Sequence, residues 1–560
     1  METVETAQAT GPLSVDASSR SLPLRTSATY AAVGTGISRL TGLLRIVALA
    51  WALGQSRLAD AFNLANVTPN MLYDVVLGGI LSATFIPVFI DHLTHRDEDD
   101  AFASISAVLT VSTVVLVVTS ALAWVLSPDL ITALTAQDTS AHAHQVAQVL
   151  AERAVATTLL RWFVIQVAAY GLFALGGALL NTRRRFVAVA WGPIVNNVVC
   201  IGVLVWFGLW THNGASLTSV SEHRSQLVLL GLGTSLGVVL QCVALLPSLR
   251  ASNLGRLRWR WDLRDAALRT VLRLSGWTFG FVLANQVAQY VVVLLAGTAT
   301  GSDPVSSYTY AYAFLQMPYG IVAVTIMSVV APDLAQRWTT GNTEAFLNRL
   351  ATGLRAMLAL IVPAAVGMLL LATPAVALIL GHGHSTPGQT SVTGAALAMF
   401  ALGLPGFCTY LYVIRVLQSM QRTQVAFYLY LGENGINIAL AVGLVGPLGV
   451  RGLALSLSVA YTVSAAVGLA VLRRWFGPLG SVALWSPLRR VVVASAAMGL
   501  VVLVVSNLSG DMHGLGLLLR VLASVVTGGV VFVAVTVLLG RRHEARRRAE
   551  VGNRLRPPPL

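Results

Sequence analysis

The sequence predicts an all-α protein that crosses a membrane fourteen times, and three observations carry that prediction. Of its 560 residues 56% are hydrophobic and only 11% charged, where a soluble chain of this size carries about twice that charge. Apolar runs of about 20 residues, long enough for the roughly 30 Å hydrocarbon core of a bilayer, recur to the end of the chain. The loops between these runs divide sharply into arginine-rich and arginine-poor sets, as topology requires of a multi-pass protein.

The runs fall near 28–53, 70–92, 103–127, 156–180, 187–210, 226–248, 274–297, 305–334, 351–380, 391–415, 424–446, 449–472, 487–507 and 514–540. Spans 1–6 (28–250) and 7–12 (274–472) read as two six-helix lobes, parallel halves about an axis along the membrane normal. Two short basic turns support the repeat, "NTRRRF" before span 5 and "SMQRTQ" before span 11. Each is followed by asparagines, Asn196 and Asn197 in one half and Asn434 and Asn437 in the other. A basic cytoplasmic linker, 251–273, joins the lobes, and spans 13 and 14 (487–540) stand outside the repeat. Residues 1–27 are polar and lack a basic start followed by an apolar core, which predicts a cytosolic tail and not a signal peptide. The basic tail 541–560, "RRHEARRRAEVGNRLRPPPL", reads as disordered, with a membrane-surface or topogenic role in preference to nucleic-acid binding.

All 37 basic residues are arginine. The absence of lysine suggests a GC-rich genome and excludes a Walker A loop, whose lysine reaches the phosphates of ATP. Arg57, Arg153, Arg224 and Arg451 lie in the loops of one side, and Arg39, Arg45, Arg161 and Arg520 lie within spans. The others crowd the tails and the loops after even-numbered spans, so both termini are expected in the cytoplasm. Cys200, Cys242 and Cys408 sit in apolar runs with no disulfide or metal spacing. No nucleophile–base pair or metal cluster appears, so the chain is not expected to be an enzyme.

The polar residues inside the spans carry the functional signal. Span 1 holds Arg39 and Arg45 and no acid. Each arginine costs about 2.5–3.5 kcal/mol at a helix centre on insertion scales. Six residues apart, the two stand about 9 Å apart along the axis and about 120° apart around it, so both can border a wide cavity. Gly34, Ser38 and Gly42 form a small-residue seam for close packing beside that charged edge. In span 2, Asn70, Asp74, Gly78 and Ser82 repeat every four residues along one face. Span 7 puts Asn285 and Gln289 on one face, with Gln286 beside them. Span 8 carries Tyr308, Tyr312, Gln316 and Tyr319, then Pro318–Gly320, which predicts a kink. Four polar-faced helices, two at the start of each half, point to one hydrated central cavity. Asp60 and Asp74 are also the carboxylates able to pair with the arginines.

Span 11 places Glu433 and Asn437 one turn apart with Asn434 between them, and span 12 adds Ser458 and Thr462. Oxygen donors of this kind suit a hard cation such as Na⁺, and the same residues also suit an interhelical hydrogen-bond network.

At this point the residues resemble a family. "GISRLTGLLRIVALAWALGQSRLADAFNLANVTPNMLYDVVLGGILSATFIPVF" (36–89) resembles the start of the lipid II flippase family, MurJ or MviN, in the multidrug/oligosaccharidyl-lipid/polysaccharide exporter superfamily. Ser38-Arg39, Gly42, Arg45, Gly54, Asp60-Ala61-Phe62, Pro69-Asn70, Gly79 and Pro87 carry the resemblance. "ALLNTRRRFVAVAWGPIVNN" (178–197) and "QMPYGIVAVTIMSVVAPDLAQ" (316–336) resemble the family's helix 4–5 junction and helix 8 with its following loop. In its arginine-only composition the chain is similar to an actinobacterial-like, high-GC member.

The resemblance implies an alternating-access flippase of the bacterial cytoplasmic membrane. It would move lipid II, an undecaprenyl-diphosphate-linked muropeptide, from the inner to the outer leaflet without ATP or another cofactor. It implies a cationic cavity lined by helices 1, 2, 7 and 8, with Arg39 and Arg45 on the diphosphate and Asp60 at the outer end of the helix 1–2 loop. Helices 13 and 14 would form a groove for the polyprenyl tail. Asn70, Asp74, Ser82, Asn285, Gln289, Tyr308, Tyr312 and Gln316 would complete the substrate site. The family's sodium site, between helices 7, 11 and 12, is suited by Asn285, Glu433 and Asn437 with Ser458 and Thr462; the energy source is Na⁺ or the membrane potential. Partners would be the lipid bilayer and cell-wall synthesis and division proteins, with no nucleic acid. The chain departs from the family in holding Tyr73, Asp74 and Gly78 where many members have two arginines and a glutamate, and Ala313 near a family arginine. Two other readings share the residues: a flippase for another undecaprenyl-linked glycan, and a non-transporting scaffold for cell-wall synthesis.

Overall fold

The computed structural model describes residues 24–78, 98–135, 143–183, 185–212, 214–252, 257–274, 276–299, 304–382, 385–477, 481–508 and 514–554. The described residues form helices and no strand. In chain order the main helices are α1 (Leu24–Leu53), α2 (Arg57–Tyr73), α3 (Glu98–Val125), α4 (Ala143–Phe163), α5 (Ile165–Thr182), α6 (Phe186–Trp210), α7 (Arg224–Val243), α8 (Ala266–Leu274), α9 (Gly276–Thr298), α10 (Pro304–Pro318) and α11 (Val324–Thr339). They continue with α12 (Thr343–Leu380), α13 (Pro387–Ser419), α14 (Thr423–Leu448), α15 (Val450–Phe476), α16 (Ser481–Leu508) and α17 (Leu515–Arg554).

Thirteen stretches among the described residues are long and apolar enough to cross a membrane. Each corresponds to one of the fourteen expected runs, and the run at 70–92 is the exception. Its helix begins at Arg57, capped by Ser56 Oγ, which accepts from the Ala59 amide at 3.3 Å. Residues 79–97 lie outside the described part of the chain. Hydropathy places this helix too late because its first half faces protein: Leu58 through Ala65 are all buried, Asp60 and Asn63 included. The basic tail also departs from expectation, since α17 continues as helix to Arg554. Its run of arginine, alanine and glutamate is made of good helix formers.

The helices pack as two lobes. In the first, α1 lies along α6, α6 along α7, α2 along α4 and α3 along α5. In the second, α13 is central, packed on α12 and α15, while α14 bridges α15 and α9. Helices α16 and α17 pack on each other and lean on α12. Val115, Val117, Val118 and Leu122 of α3 and Leu522, Val526, Val530 and Val533 of α17 stand exposed on the outside. A row of apolar side chains this extensive has its natural solvent in lipid.

Two helices that meet between the lobes are irregular. Helix α2 widens into a π turn at Asp74–Gly78, and α10 does so at Tyr319–Ala323, directly after Pro318. Proline lacks an amide hydrogen and its ring crowds the carbonyl four residues back, so the helix opens there.

Candidate functional site

A cavity of about 730 Å³ lies at the junction of the lobes. Arg39 and Arg45 of α1, Asn63 and Asn66 of α2, Tyr170 of α5, Asn196 and Asn197 of α6, Thr234 and Gln241 of α7, and Tyr312 and Gln316 of α10 line it. Arg39 is exposed and Arg45 half-buried. No acidic side chain is among the lining residues, and among the described residues no ion pair reaches either arginine. Tyr170 and Cys200 lie beside Arg45. Across the lobe junction, Gly320 lies against Arg39, where a Cβ would stand 3.1 Å from Nε.

The small-residue seam of α1 explains how the arginines come to face this space. Trp191 Nε1 donates to the Tyr30 carbonyl at 3.1 Å, and Asn197 Nδ2 donates to the Ser38 carbonyl at 3.1 Å and to Thr41 Oγ1 at 3.0 Å. A side chain at Gly34 would collide with the Trp191 ring, its Cβ falling 2.6 Å from the indole. Close packing of this edge on α6 turns the charged edge into the cavity.

One end of the cavity is closed by a polar clasp between the lobes. Gly54, at φ 67°, takes the left-handed conformation that lets the chain turn sharply out of α1. Gln55 and Asp60 follow, 0% and 2% exposed. Asp60 Oδ1 accepts from the Ser306 amide at 2.7 Å and from Ser306 Oγ at 2.5 Å, capping the start of α10. Gln55 Oε1 accepts from Ser307 Oγ at 3.2 Å and Thr393 Oγ1 at 2.6 Å, and Gln389 Nε2 donates to the Gln55 carbonyl. Tyr310 donates its hydroxyl to the Gly54 carbonyl at 3.3 Å.

Of the residues expected in the substrate site, Arg39, Arg45, Tyr312 and Gln316 meet at the cavity. Asp60 lies in the clasp, within the first turn of α2 and not in a loop. Asn70 Nδ2 turns back to the Asn66 carbonyl of its own helix at 3.0 Å. Asp74 accepts from Gln286 Nε2 at 3.1 Å, a link between α2 and α9. Neither Asp60 nor Asp74 pairs with Arg39 or Arg45. Tyr308 stacks on Tyr312, their ring centroids 6.3 Å apart, and meets the edge of Phe400. Asn285 is exposed and Gln289 half-buried, and neither lines the cavity. Ser82 lies outside the described residues. Among the described residues α9 contributes none to the lining, and α5, α6 and α7 of the first lobe supply lining residues instead. Sequence reading missed Asn63, Asn66, Tyr170, Thr234 and Gln241. Tyr170 and Gln241 carry no charge or repeat to set them apart, whereas Asn63 and Asn66 fall at helical spacing between Asp60 and Asn70, a signal that could have found them.

The oxygen-rich set divides in two. Glu433 and Asn437 are each 3% exposed. Asn437 Oδ1 accepts from Ser456 Oγ at 3.0 Å. Ser458 Oγ donates instead to the Met399 carbonyl at 2.8 Å and Thr462 Oγ1 to the Ser458 carbonyl at 2.7 Å, where Gly403 and Gly406 bring α13 hard against α15. Glu433 Oε1 has no hydrogen-bond partner among the described residues; Tyr308, Tyr312, Tyr410, Tyr430 and Tyr461 surround it. The hydroxyls expected to complete a sodium shell thus serve helix packing, and Asn285 is exposed where Glu433 and Asn437 are buried. These residues do not fit a closed five-donor shell.

A second cavity, about 430 Å³, runs between α12, α16 and α17. Pro363, Gly367, Leu371, Met498, Val502, Val525, Gly529 and Phe532 line it, with Ser524 the polar exception.

The sequence profile of the lipid II flippase MurJ family matches residues 49–524. The probable lipid II flippase MurJ of Rhizobium meliloti (strain 1021) is 27% identical over 437 residues, 78% of each chain. The lipid II flippase MurJ of Burkholderia cenocepacia is 25% identical over 434 residues, 73% of this chain and 79% of its own. These relatives do not support the actinobacterial origin that the arginine-only composition suggests. Among solved structures, a lipid II flippase MurJ in an inward closed conformation superposes with a TM-score of 0.72 at 20% identity, covering 91% of this chain and 99% of that one. An inward-facing MATE family multidrug transporter of the MOP superfamily gives 0.61 at 14% identity, covering 80% and 99%. At these identities the two structures speak for the fold alone.

Proposed function

The chain belongs to the lipid II flippase MurJ family, and on that premise we propose that its interlobe cavity receives the diphosphate of lipid II on Arg39 and Arg45 and carries it from the inner to the outer leaflet by alternating access. The observation that carries this reading is a cavity in which, among the described residues, two arginines stand with no acidic side chain and no ion pair, closed at one end by a clasp between the lobes. Arginine offers a planar fork of donors that matches phosphate oxygens in pairs.

The clasp lies at the end of α1 away from the arginine-rich loops, which is the outer end if both termini are cytoplasmic. A lipid-linked diphosphate then meets the arginines from the inner side. Without it, closing the inner end buries two like charges in a medium of low dielectric, which is unfavourable. With it the charges are neutralised, so the bound state can close inward and release the clasp outward; the ligand shifts the equilibrium by its differential affinity for the two states. The apolar channel between α12, α16 and α17 offers the polyprenyl tail a lipid-like path beside the cavity. The buried Glu433 carboxyl is the acidic group on which a coupling cation would act. Since the donors do not form a closed shell, no step is routed through sodium.

Depleting the protein and measuring lipid II by leaflet tests the reading. Lipid II should accumulate in the inner leaflet as the protein disappears. An outer-leaflet supply that persists undiminished would contradict it.

A further inference from the structure

The strap that joins the lobes has a pattern that the transport cavity does not use. Residues 257–262 have no regular secondary structure, residues 263 and 264 form a turn, and α8 follows. The Arg258 amide donates to Ser106 Oγ and the Arg260 amide to Thr110 Oγ1, both at 3.1 Å. The match is geometric: two residues of extended chain advance roughly 6.6 Å and four residues of helix about 6 Å. The strap therefore lies along α3, whose apolar span begins at Phe102, and follows it one turn deeper. It then returns. Asp265 Oδ2 accepts from Ser104 Oγ at 3.0 Å, while Asp265 Oδ1 caps the next helix through the Ala267 amide at 2.8 Å. Ala267, Leu268 and Val271 of α8 are buried against Phe102, Ile105 and Val108 of α3. The ties to α3 all belong to the first lobe.

Extended chain sends alternate side chains to opposite faces. With the amides of 258 and 260 both on α3, Trp259 and Trp261, 71% and 55% exposed, fall on one face, and Leu263, 56% exposed, follows in the turn. Arg258 and Arg260 fall on the other by the same alternation, and Arg264 lies in the turn. Arg260 is paired with Asp262 at 3.0 Å. The Arg264 amide and then the Arg260 guanidinium hold the Asp262 carboxyl below the usual carboxylate range, so it stays charged. Arg258 and Arg264 remain as the exposed positive charges of the strap.

We propose that this strap is a membrane anchor, with Trp259, Trp261 and Leu263 inserted at the acyl boundary of the leaflet on the arginine-rich side and Arg258 and Arg264 bound to the phosphates of anionic glycerophospholipids. Tryptophan is at home in that zone because its ring is apolar and its N–H reaches the wet side. The arginine stems lie along the apolar layer while their heads reach the headgroups. Since the strap is fastened to α3, it secures the first lobe at the interface and leaves the second to move against it.

The test uses the full chain in vesicles of phosphatidylcholine with about a third phosphatidylglycerol. Single nitroxides are placed at 258, 259, 260, 261 and 263, with Cys200, Cys242 and Cys408 changed to serine. Labels at 259, 261 and 263 should collide with oxygen in preference to a water-soluble nickel chelate, and labels at 258 and 260 the reverse. In the Arg258→Gln/Arg264→Gln double variant the embedded population at 261 should fall roughly 25-fold, because each arginine near an anionic surface contributes a factor of roughly five. Removing phosphatidylglycerol should have the same effect. Equal nickel access at all five positions, or alternation indifferent to phosphatidylglycerol, overturns the proposal. Brominated lipid provides a check without cysteines: it should quench wild-type fluorescence more than that of the Trp259→Phe/Trp261→Phe variant, and equal quenching counts against the anchor.

Discussion

Asp60 ties the two lobes together at the clasp. It is 2% exposed, and it caps α10 through both the amide and the hydroxyl of Ser306. A charge-assisted hydrogen bond contributes roughly 1.5–3 kcal/mol, so Asp60→Ala should shift the closed-to-open ratio of the outer end by about 10- to 150-fold. A cysteine at Thr309, which lines the cavity, should then become more reactive to an impermeant maleimide added from outside. Unchanged reactivity would show that the clasp does not control access. Glu433 is buried in the second lobe. If transport is cation-coupled through this carboxyl, Glu433→Gln removes its charge, and transport should fall with its cation dependence lost. Normal transport with unaltered ion dependence would exclude it. Arg39 and Arg45 were legible in the sequence because a charge in an apolar run stands out against its surroundings. Thr234 and Gln241 were not: which way an amide or hydroxyl points depends on helix rotation, and Gln55, between two helices, is placed by partners as distant in sequence as Thr393.

The elements differ in how well hydropathy reports them. Helices that face lipid, such as α3 and α17, declare themselves by composition. Helix α2 does not, because Leu58 through Ala65 face other helices and hydropathy has no reason to be high there. Its start at Arg57 could have been found from Ser56 as a cap, with Asp60 in the first turn. Pro318 and Gly320 did mark the irregular point in α10, though not that it takes the form of a π turn. The channel between α12, α16 and α17 gives a prediction at this scale. Nothing lies within 4 Å of where a Cβ on Gly529 would be, so Gly529→Phe should fit into the channel without disturbing the fold. If the polyprenyl tail travels there, transport should drop several-fold at unchanged protein level. Wild-type transport in this variant would place the tail elsewhere.

For the whole molecule, the arginine distribution was the strongest sequence argument, because it constrains all the loops together. It predicts that cysteines at exposed positions 183 and 541 are labelled from the cytoplasmic side only; labelling at 183 from outside intact cells would invert the proposed direction of transport along with the topology. What the sequence could not supply was the assignment of walls to the cavity. The expected helix 7 residues are replaced by residues of α5, α6 and α7, since the lobe that α1 packs on through Trp191 and Asn197 determines which side chains its arginines face. The central claim is that Arg39 and Arg45 bind a diphosphate, and their guanidinium geometry separates that role from charge alone. Arg→Lys keeps the charge and loses the paired donors, so each lysine variant should lose function substantially, and each alanine variant entirely, at near-normal membrane abundance. Complementation of a depleted strain with membrane protein quantified in parallel is the most direct measurement. Full complementation by both alanine variants would contradict the account.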